Sequence, residues 1–491
     1  MGHNQKVYES QLYEIWQNRN YIADLTTVSG VDISVLDPGV QDLSESGPDF
    51  KNARVRIGNL TYVGDIEIDC DYRDWKLHGH NIDLKYNKVI LHACLNNKFK
   101  QPYVYTKDGR KVPTICIKDF IEEGRLQNFK SELTYESHGN NLKCSIGVAD
   151  VNFEVKENLL TTLGVERFNK KCERIHKRLK ELVYVNDLSL KEPVLAYDLP
   201  SEFEEKIFED KSFNDKEIWE QAFYELLFEA LGYSKNKNIM LSLAQSANIS
   251  LIKKVLNEGH GNEFIEPLLF GVSGILPKNI ANNGDRMPAY AAQILSRWNY
   301  IRTIYDGKTY EETEWHFFKL RPQNFPTIRL AAGSRLLIEI VERDLIAKIV
   351  KKIEEIRNLT VLINSIRSLF VIKSDGFWSQ HYVFDKPAGV DVKYFVGATR
   401  ADEIVVNVIL PFFAVYFEIF GEEKLSRKIY KLYSMYNQKS DNKIVRDVAN
   451  NLCMTNQLKR TVLSQGMIEL FRSYCSKNRC LDCPIGKIIF N

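Results

Sequence analysis

Two nearby stretches decide how the N-terminal part of this chain folds: Ala53-Arg-Val-Arg-Ile-Gly58-Asn59-Leu-Thr61-Tyr-Val-Gly-Asp65-Ile-Glu67-Ile-Asp69, and then Lys88-Val-Ile-Leu-His-Ala-Cys-Leu95. Ala53 to Gly58 alternates with the period of two that a half-buried strand requires. Gly58-Asn59 supplies a turn and Thr61 to Asp69 a second strand, so the pair reads as a hairpin. Lys88 to Leu95 is too continuously apolar to keep one face wet, which places it inside a sheet. Between them, Leu77 to Asn87 is polar with sparse apolar positions and reads as a short helix. Upstream, Tyr8, Leu12, Ile15 and Trp16 recur at helical spacing. Downstream, Asp-Gly within Thr106 to Arg110 offers the turn of a second hairpin. The order is helix, strands, helix, strand.

From Leu159 onward the pattern becomes helical, with long stretches at Val165–Leu182, Glu217–Gly232, Ile239–Leu256, Tyr290–Tyr300, Arg329–Lys352, Ile404–Phe420 and Leu425–Tyr436. A loop with two prolines is expected over 185–200. The expected division is therefore an α/β domain over 1–125, a basic helix and linker over 126–200, and a helical domain over 201–491. At ~150 residues per domain, 491 residues accommodate two to four.

A chain with 44% hydrophobic and 26% charged residues is neither disordered throughout nor a disulfide miniprotein. Its 66 Lys+Arg against 64 Asp+Glu give +2, so any nucleic-acid contact must come from a local patch. Nine scattered cysteines fit the reduced thiols of a cytoplasmic protein. The polar start, Met1 to Lys6, lacks a signal-peptide core. The most apolar run, Ile404 to Phe420, is short and interrupted by Asn407, Pro411 and Glu418, so a buried helix is expected and no membrane partner. The oligomeric state is left open.

Candidate chemistry begins with acids. Gly47-Pro48-Asp49-Phe50 precedes the hairpin, and Glu67 and Asp69 project from one face of its second strand. A loop carboxylate beside two strand carboxylates makes an oxygen-rich pocket for Mg²⁺ or Mn²⁺. Such an ion can generate hydroxide and stabilise a phosphodiester transition state. Equally, Gly-Pro-Asp is a common turn, and Asp65, Glu67 and Asp69 can be a solvated strand face.

Pattern and order together resemble the PD-(D/E)xK nuclease superfamily. The resemblance implies an N-terminal αβββαβ restriction-endonuclease-like core, with Pro48-Asp49 as first motif, Glu67 as second acid and Glu14 as a helical acid. This chain carries Asp69 where that superfamily has its lysine, and Lys76, His78 or His80 can supply the base instead.

His78, His80, Asp83 and His92 fall close together, and histidine both carries protons near neutral pH and ligates metals. His-x-His-x-x-Asp is similar to the His-x-His-x-Asp-His of metallo-β-lactamase-type hydrolases, one residue longer and without the final histidine. A lone His92 within an apolar strand also reads as a hydrogen-bonded core residue. More broadly, Gly47 to Phe50, Gly64-Asp-Ile-Glu67, Asp74-Trp75, His78-Gly-His80, Leu320 to Leu330 and the C-terminal cysteines resemble a bacterial domain-of-unknown-function family along nearly the whole chain. That resemblance implies an architecture without a reaction. Its members typically have His at the Asp69 position.

Near the C-terminus, Cys475, Cys480 and Cys483 suggest Zn²⁺ or an iron–sulfur cluster more than disulfides. Their spacing is similar to the cysteine loop of helix-hairpin-helix DNA glycosylases, with a shorter first interval and no fourth cysteine. Cys453 is the nearest remaining thiol. Three thiols capping a helical domain without metal is the plainer alternative. Finally, Arg167, Lys170, Lys171, Arg174, Lys177 and Arg178 crowd onto one helix and can track phosphates, although charge runs are usually solvated faces.

These features support a metal-dependent phosphodiesterase acting on DNA or RNA, with Asp49 and Glu67 on the ion, Asp69 assisting, and His78 or His80 handling protons. The alternative is a non-catalytic nucleic-acid-binding or assembly protein on a decayed nuclease core.

Overall fold

The computed structural model describes residues 9–19, 21, 24–41, 47–120, 142–187, 203, 206, 208–233, 235–257, 261–277, 288–317, 320–438, 442–477 and 479–490. The expected loop over 185–200 lies mostly outside these residues, as does the side chain of Glu14. Two compact units emerge: Met1–His138 with Glu311–Pro326, and Gly139–Tyr310 with Thr327–Asn491. This differs from the sequence division in two ways. The basic helix belongs inside the second unit, and Glu311–Pro326 returns to the first. That return is anchored by the ion pair between Lys107 and Glu312 and by packing of the turn at Leu84–Lys88 on the turn at Glu312–Glu314.

The first unit is mixed α/β. Helix α1 (Glu9–Asn18) precedes strands β1 (Leu25–Thr26), β2 (Asp32–Asp37), β3 (Val40–Gln41), β4 (Phe50–Ile57) and β5 (Leu60–Asp71). Helix α2 (Asp74–Leu77) and two 3₁₀ turns, His80–Ile82 and Leu84–Lys88, then cross to β6 (Val89–Asn96). Strands β7 (Tyr103–Tyr105) and β8 (Lys111–Cys116) form the second hairpin. Sheet order is β1-β2-β4-β5-β6-β8-β7, with β3 also on β4.

The expected first hairpin is present: β4 and β5 run antiparallel and turn at Gly58, whose φ of +58° suits glycine. Strand β5 outlasts its partner and continues parallel to β6, which is parallel to β8. Gly64 marks the changeover. A Cβ there would lie 2.4 Å from Ile90 Cγ2 and 2.6 Å from the Lys88 carbonyl, so only glycine lets the strands close.

The sheet has two contrasting faces. Ile66 and Ile68 of β5, Leu91 and Ala93 of β6 and Ile115 of β8 pack against Leu12, Ile15 and Trp16 of α1. On the opposite face, the crossover brings Trp75 and Tyr86 together with Val89, Val104 and Val112 in a smaller core. The Trp75 indole donates to the Tyr105 carbonyl at 3.0 Å and fixes α2 over that face.

The second unit is predominantly helical, with short strand pairs at Ile372–Lys373/Tyr394–Val396 and His381–Val383/Lys386–Pro387. Helix α3 (Phe153–Asp187) contains the whole basic stretch, and α4 (Lys216–Leu231) is almost entirely buried. Two expected single helices are each broken. Ile239–Leu256 becomes α5 (Lys237–Ser246) and α6 (Ile249–Asn257), because Asn248 Oδ1 accepts from Leu251 N and starts a new helix. After α7 (Ile265–Ser273) and α8 (Ala289–Ile301), Arg329–Lys352 becomes α9 (Pro326–Val341) and α10 (Leu345–Glu355), with Asp344 capping the second at Ala347 N. Both breaks are N-cap signals inside continuous apolar periodicity.

Helices α11 (Leu359–Leu369) and α12 (Ala398–Ile404) follow, and then a π-helical turn, Val405–Ile409, leads into α13 (Leu410–Ile419). This is the apolar run read as a buried helix. Among the described residues no helix is long and apolar enough to cross a membrane. Helices α14 (Glu423–Met435), α15 (Lys443–Asn451), α16 (Thr461–Ser473) and α17 (Pro484–Phe490) complete the unit. Helix α16 packs intimately on α3: a Cβ on Gly164 would meet Val462 O at 2.1 Å, and one on Gly466 would meet Leu160 O at 1.9 Å.

Candidate metal centre

Strand alternation puts Asp65, Glu67 and Asp69 on one face of β5, opposite Ile66 and Ile68. All three acids are buried under the crossover rather than solvated. Each is spent differently. Asp65 Oδ1 accepts the amide of Asn52 at 3.1 Å, at a β4 bulge where Asn52 has a φ of +57°, so its task is structural. Glu67 pairs in register with His92 on β6, which turns the His92 ring onto the same acidic face.

Asp69 is the hub. Its Oδ1 lies 3.1 Å from His78 Nδ1 and 3.7 Å from His80 Nε2, and its Oδ2 lies 3.2 Å from His92 Nε2. His80 Nε2 also stands 2.9 Å from Glu67 Oε1. His78 ends α2 and His80 opens the next 3₁₀ turn. Gly79 between them takes a φ of +82°, a left-handed step that swings both imidazoles back toward one carboxylate. Their rings stand 5.6 Å apart and nearly perpendicular. Trp75 and Tyr86 wall the group, with Tyr86 4.1 Å and Trp75 5.2 Å from the His80 ring centre. Asp69 is 1% and His80 0% exposed, whereas the His78 side chain is 22% exposed and forms the entry.

Burial would raise the Asp69 carboxyl, but hydrogen bonds from His78, His80 and His92 outweigh it and hold the group well below the usual carboxylate range. Asp69 is therefore an anion in a nearly dry pocket. Asp49 shows the opposite behaviour. Burial first, and the charge of Glu67 second, hold its carboxyl well above the ordinary value. Its oxygens are already engaged, accepting from Tyr13 OH at 2.6 Å and Ile68 N at 2.8 Å, while its own amide donates to Glu67 Oε2 at 3.2 Å.

Among the described residues, Asp69, His78 and His80 bring three ligand atoms within 4.8 Å of one another and can hold a metal ion. The expected pair borders this set: the Asp49 amide donates to Glu67 Oε2, and Glu67 Oε1 lies 2.9 Å from His80 Nε2. His92, which also read as a lone core histidine, becomes the residue that orients Asp69 through Oδ2, while its Nδ1 lies 3.4 Å from Thr114 Oγ1. Its signal was available in the register of two adjacent strands, which one strand read alone does not give. Asp83 stays outside this set: its Oδ1 caps the Leu84–Lys88 turn at Lys85 N.

The basic helix is arranged quite differently. Arg174 makes a two-pronged pair with Glu229 at 2.6 and 2.7 Å, and Arg178 another with Glu225 at 2.8 Å on both prongs. Arg167 and Lys170 meet Glu469, and Lys171 donates to Asn407 Oδ1 and Gln465 Oε1. Burial, aided by Arg167 and Arg174, keeps the Lys171 ammonium well below the ordinary lysine range. Five of the six expected phosphate contacts therefore serve packing within the unit, and Lys177 lines a surface cavity instead.

Residues 9–188 and 202–442 match the model of a family described as a protein of unknown function, DUF2851, and the chain belongs to that family. The match includes the whole Asp69 group and ends before Cys475. No curated protein and no solved structure matches the chain.

Proposed function

We propose that this DUF2851 protein is a metal-dependent phosphodiesterase acting on nucleic acid, with Asp69, His78 and His80 as ligands of one divalent ion. The observation that carries the reading is a buried carboxylate faced by a His-x-His pair at a half-open mouth. Two imidazoles and one carboxylate suit Mn²⁺ or Zn²⁺ better than Mg²⁺, which prefers oxygen ligands. Such an ion lowers the pKa of bound water and neutralises charge on a phosphoryl oxygen. Glu67, beside His80, is positioned to accept a proton from that water. This reassigns the histidines, because an imidazole whose lone pair is on a metal cannot shuttle protons. Exposed Lys76, two residues before His78, lies on the same segment as the mouth and suits an anionic substrate.

A second reading, a non-catalytic metal staple, is favoured by the near-complete burial of Asp69 and His80. One experiment separates the two. The purified full chain is incubated with DNA and RNA in single-stranded and duplex form, with Mn²⁺, Zn²⁺ or Mg²⁺, beside Asp69→Asn. Cleavage that the variant loses supports the enzyme. Tight ion binding by calorimetry without cleavage of any substrate leaves the staple.

A further inference from the structure

The C-terminal cysteines lacked a fourth partner in the sequence, and the fold brings one from more than 300 positions away. Residues 474–477 and 479–483 form a knuckle of consecutive tight turns. Arg479 N donates to Tyr474 O at 2.9 Å, Asp482 N to Arg479 O at 3.3 Å and Cys483 N to Cys480 O at 3.1 Å. Helix α17 begins directly after Cys483, and the chain closes so tightly that a Cβ on Gly486 would sit 2.0 Å from the Cys480 carbonyl. Against α17 packs a 3₁₀ turn at the start of the second unit, Lys143–Ile146, which carries Cys144. That contact is also close, since a Cβ on Gly147 would stand 2.8 Å from Ile489 Cγ2.

We propose that Cys144, Cys475, Cys480 and Cys483 form one tetrathiolate centre for a thiophilic metal, either Zn²⁺ or an iron–sulfur cluster, which ties the beginning of the second unit to its end. All four are free cysteines, and three segments supply them. Burial, then Cys483 and Cys480, push the Cys144 thiol up to about 11. Burial, then Cys144, Cys483 and Cys480, push that of Cys475 up to about 12. The geometry carries the grouping: the knuckle's turns hold Cys480 and Cys483 at the start of α17, and the Lys143–Ile146 turn packed on α17 brings Cys144 to the same helix. Other thiols are placed elsewhere: Cys172 approaches the Pro411 carbonyl and Cys453 is exposed.

Tetrahedral Zn²⁺ with bonds of ~2.3 Å needs sulfurs ~3.8 Å apart. Zinc would draw the three segments closely together, whereas a cubane cluster would span a more open set. Both place the same demand on Cys144.

The test is metal analysis of the full chain purified anaerobically without chelator, with Cys144→Ser and Cys453→Ser alongside. Zinc at ~1 per chain, or iron with matching acid-labile sulfide and a visible absorption band, is the expected result for wild type. Cys453→Ser should retain it, and Cys144→Ser should lose it ~10-fold or more. Neither metal in wild type, or full retention by Cys144→Ser, overturns the proposal. Should Cys144→Ser not fold, alkylation of wild type read by mass spectrometry decides: the four thiols should be shielded together and released together when the metal is stripped. Cys144 reacting as fast as Cys453 before stripping overturns the centre.

Discussion

Strand β5 carries a cluster of acids and helix α3 a cluster of bases among its glutamates, and both clusters read equally well as solvated faces or as functional surfaces. The fold treats them differently. In α3, three carboxylates from α4 and α16, Glu225, Glu229 and Glu469, pair with Arg178, Arg174, Arg167 and Lys170 within the unit. In β5, the partners of Asp69 are imidazoles, groups that can exchange a shared proton for a metal ion. Charge density in a sequence is therefore ambiguous until the partner's chemistry is known. Guanidinium with carboxylate closes a site, whereas imidazole with carboxylate leaves one open to a cation.

The sharpest way to break this comparison is at Asp69. Replacing it with Ala removes a ligand and leaves three histidines facing a void, so affinity for Mn²⁺ or Zn²⁺ by calorimetry should fall ~100-fold or more, and cleavage with it. Unchanged ion binding would move the centre away from Asp69 altogether.

Next in size is the closed side. Arg178→Ala strands Glu225, a side chain only 3% exposed, and should cost ~2–4 kcal/mol in urea unfolding. Removing both charges, as Arg178→Met with Glu225→Met, should recover much of that loss, because the cost lies in the orphaned carboxylate. Nucleic-acid affinity should not change in either variant. A fall in affinity without a fall in stability would restore α3 as a binding surface.

Much of the first unit was legible because its pattern was local. The β4–β5 hairpin, the interior β6 and the hairpin at Asp108-Gly109 all followed from period and turn residues within each stretch. The acidic face of Glu67 and Asp69, and the nearness of His78 and His80, were equally available. What could not be read were facts fixed by pairing. The register that turns His92 toward Asp69 is one, and the commitment of Asp49 to Tyr13 across 36 positions is another. The carboxylates that neutralise α3 and the arrival of Cys144 beside the C-terminal knuckle belong to the same class. In the second unit, Asn248 and Asp344 carried cap signals, but continuous apolar periodicity masked them.

A smaller effect follows from pH. Burial would raise the Glu229 carboxyl, but the Arg174 and Lys237 partners lower it overall. A carboxylate depressed in the folded state contributes stability above its unfolded value of ~4.3, and that contribution drains away as pH falls toward the folded value. Wild type should therefore lose more stability than Glu229→Gln between about pH 5 and pH 3, as read by urea midpoints, and the two curves should run parallel above pH 6. A difference that grows toward alkaline pH would have the wrong sign and would remove the pair as its cause.

The smallest expected effect tests the comparison at its weakest point, Lys177. It lines an open cavity of about 260 Å³, together with Lys180, Lys206 and Phe208. A phosphate held there would release counterions, and its loss would lower the slope of log K against log salt by ~1. If α3 is a packing helix, Lys177→Ala should change nucleic-acid affinity less than ~2-fold and leave that slope unaltered. Lys76→Ala, on the segment that leads to His78, should lower the slope by ~1 with little change in stability. The two variants thus form a matched pair of exposed lysines read in one salt titration. The opposite outcome, with Lys177 controlling the slope and Lys76 silent, would put the substrate path on the helical unit and take it away from the Asp69 mouth.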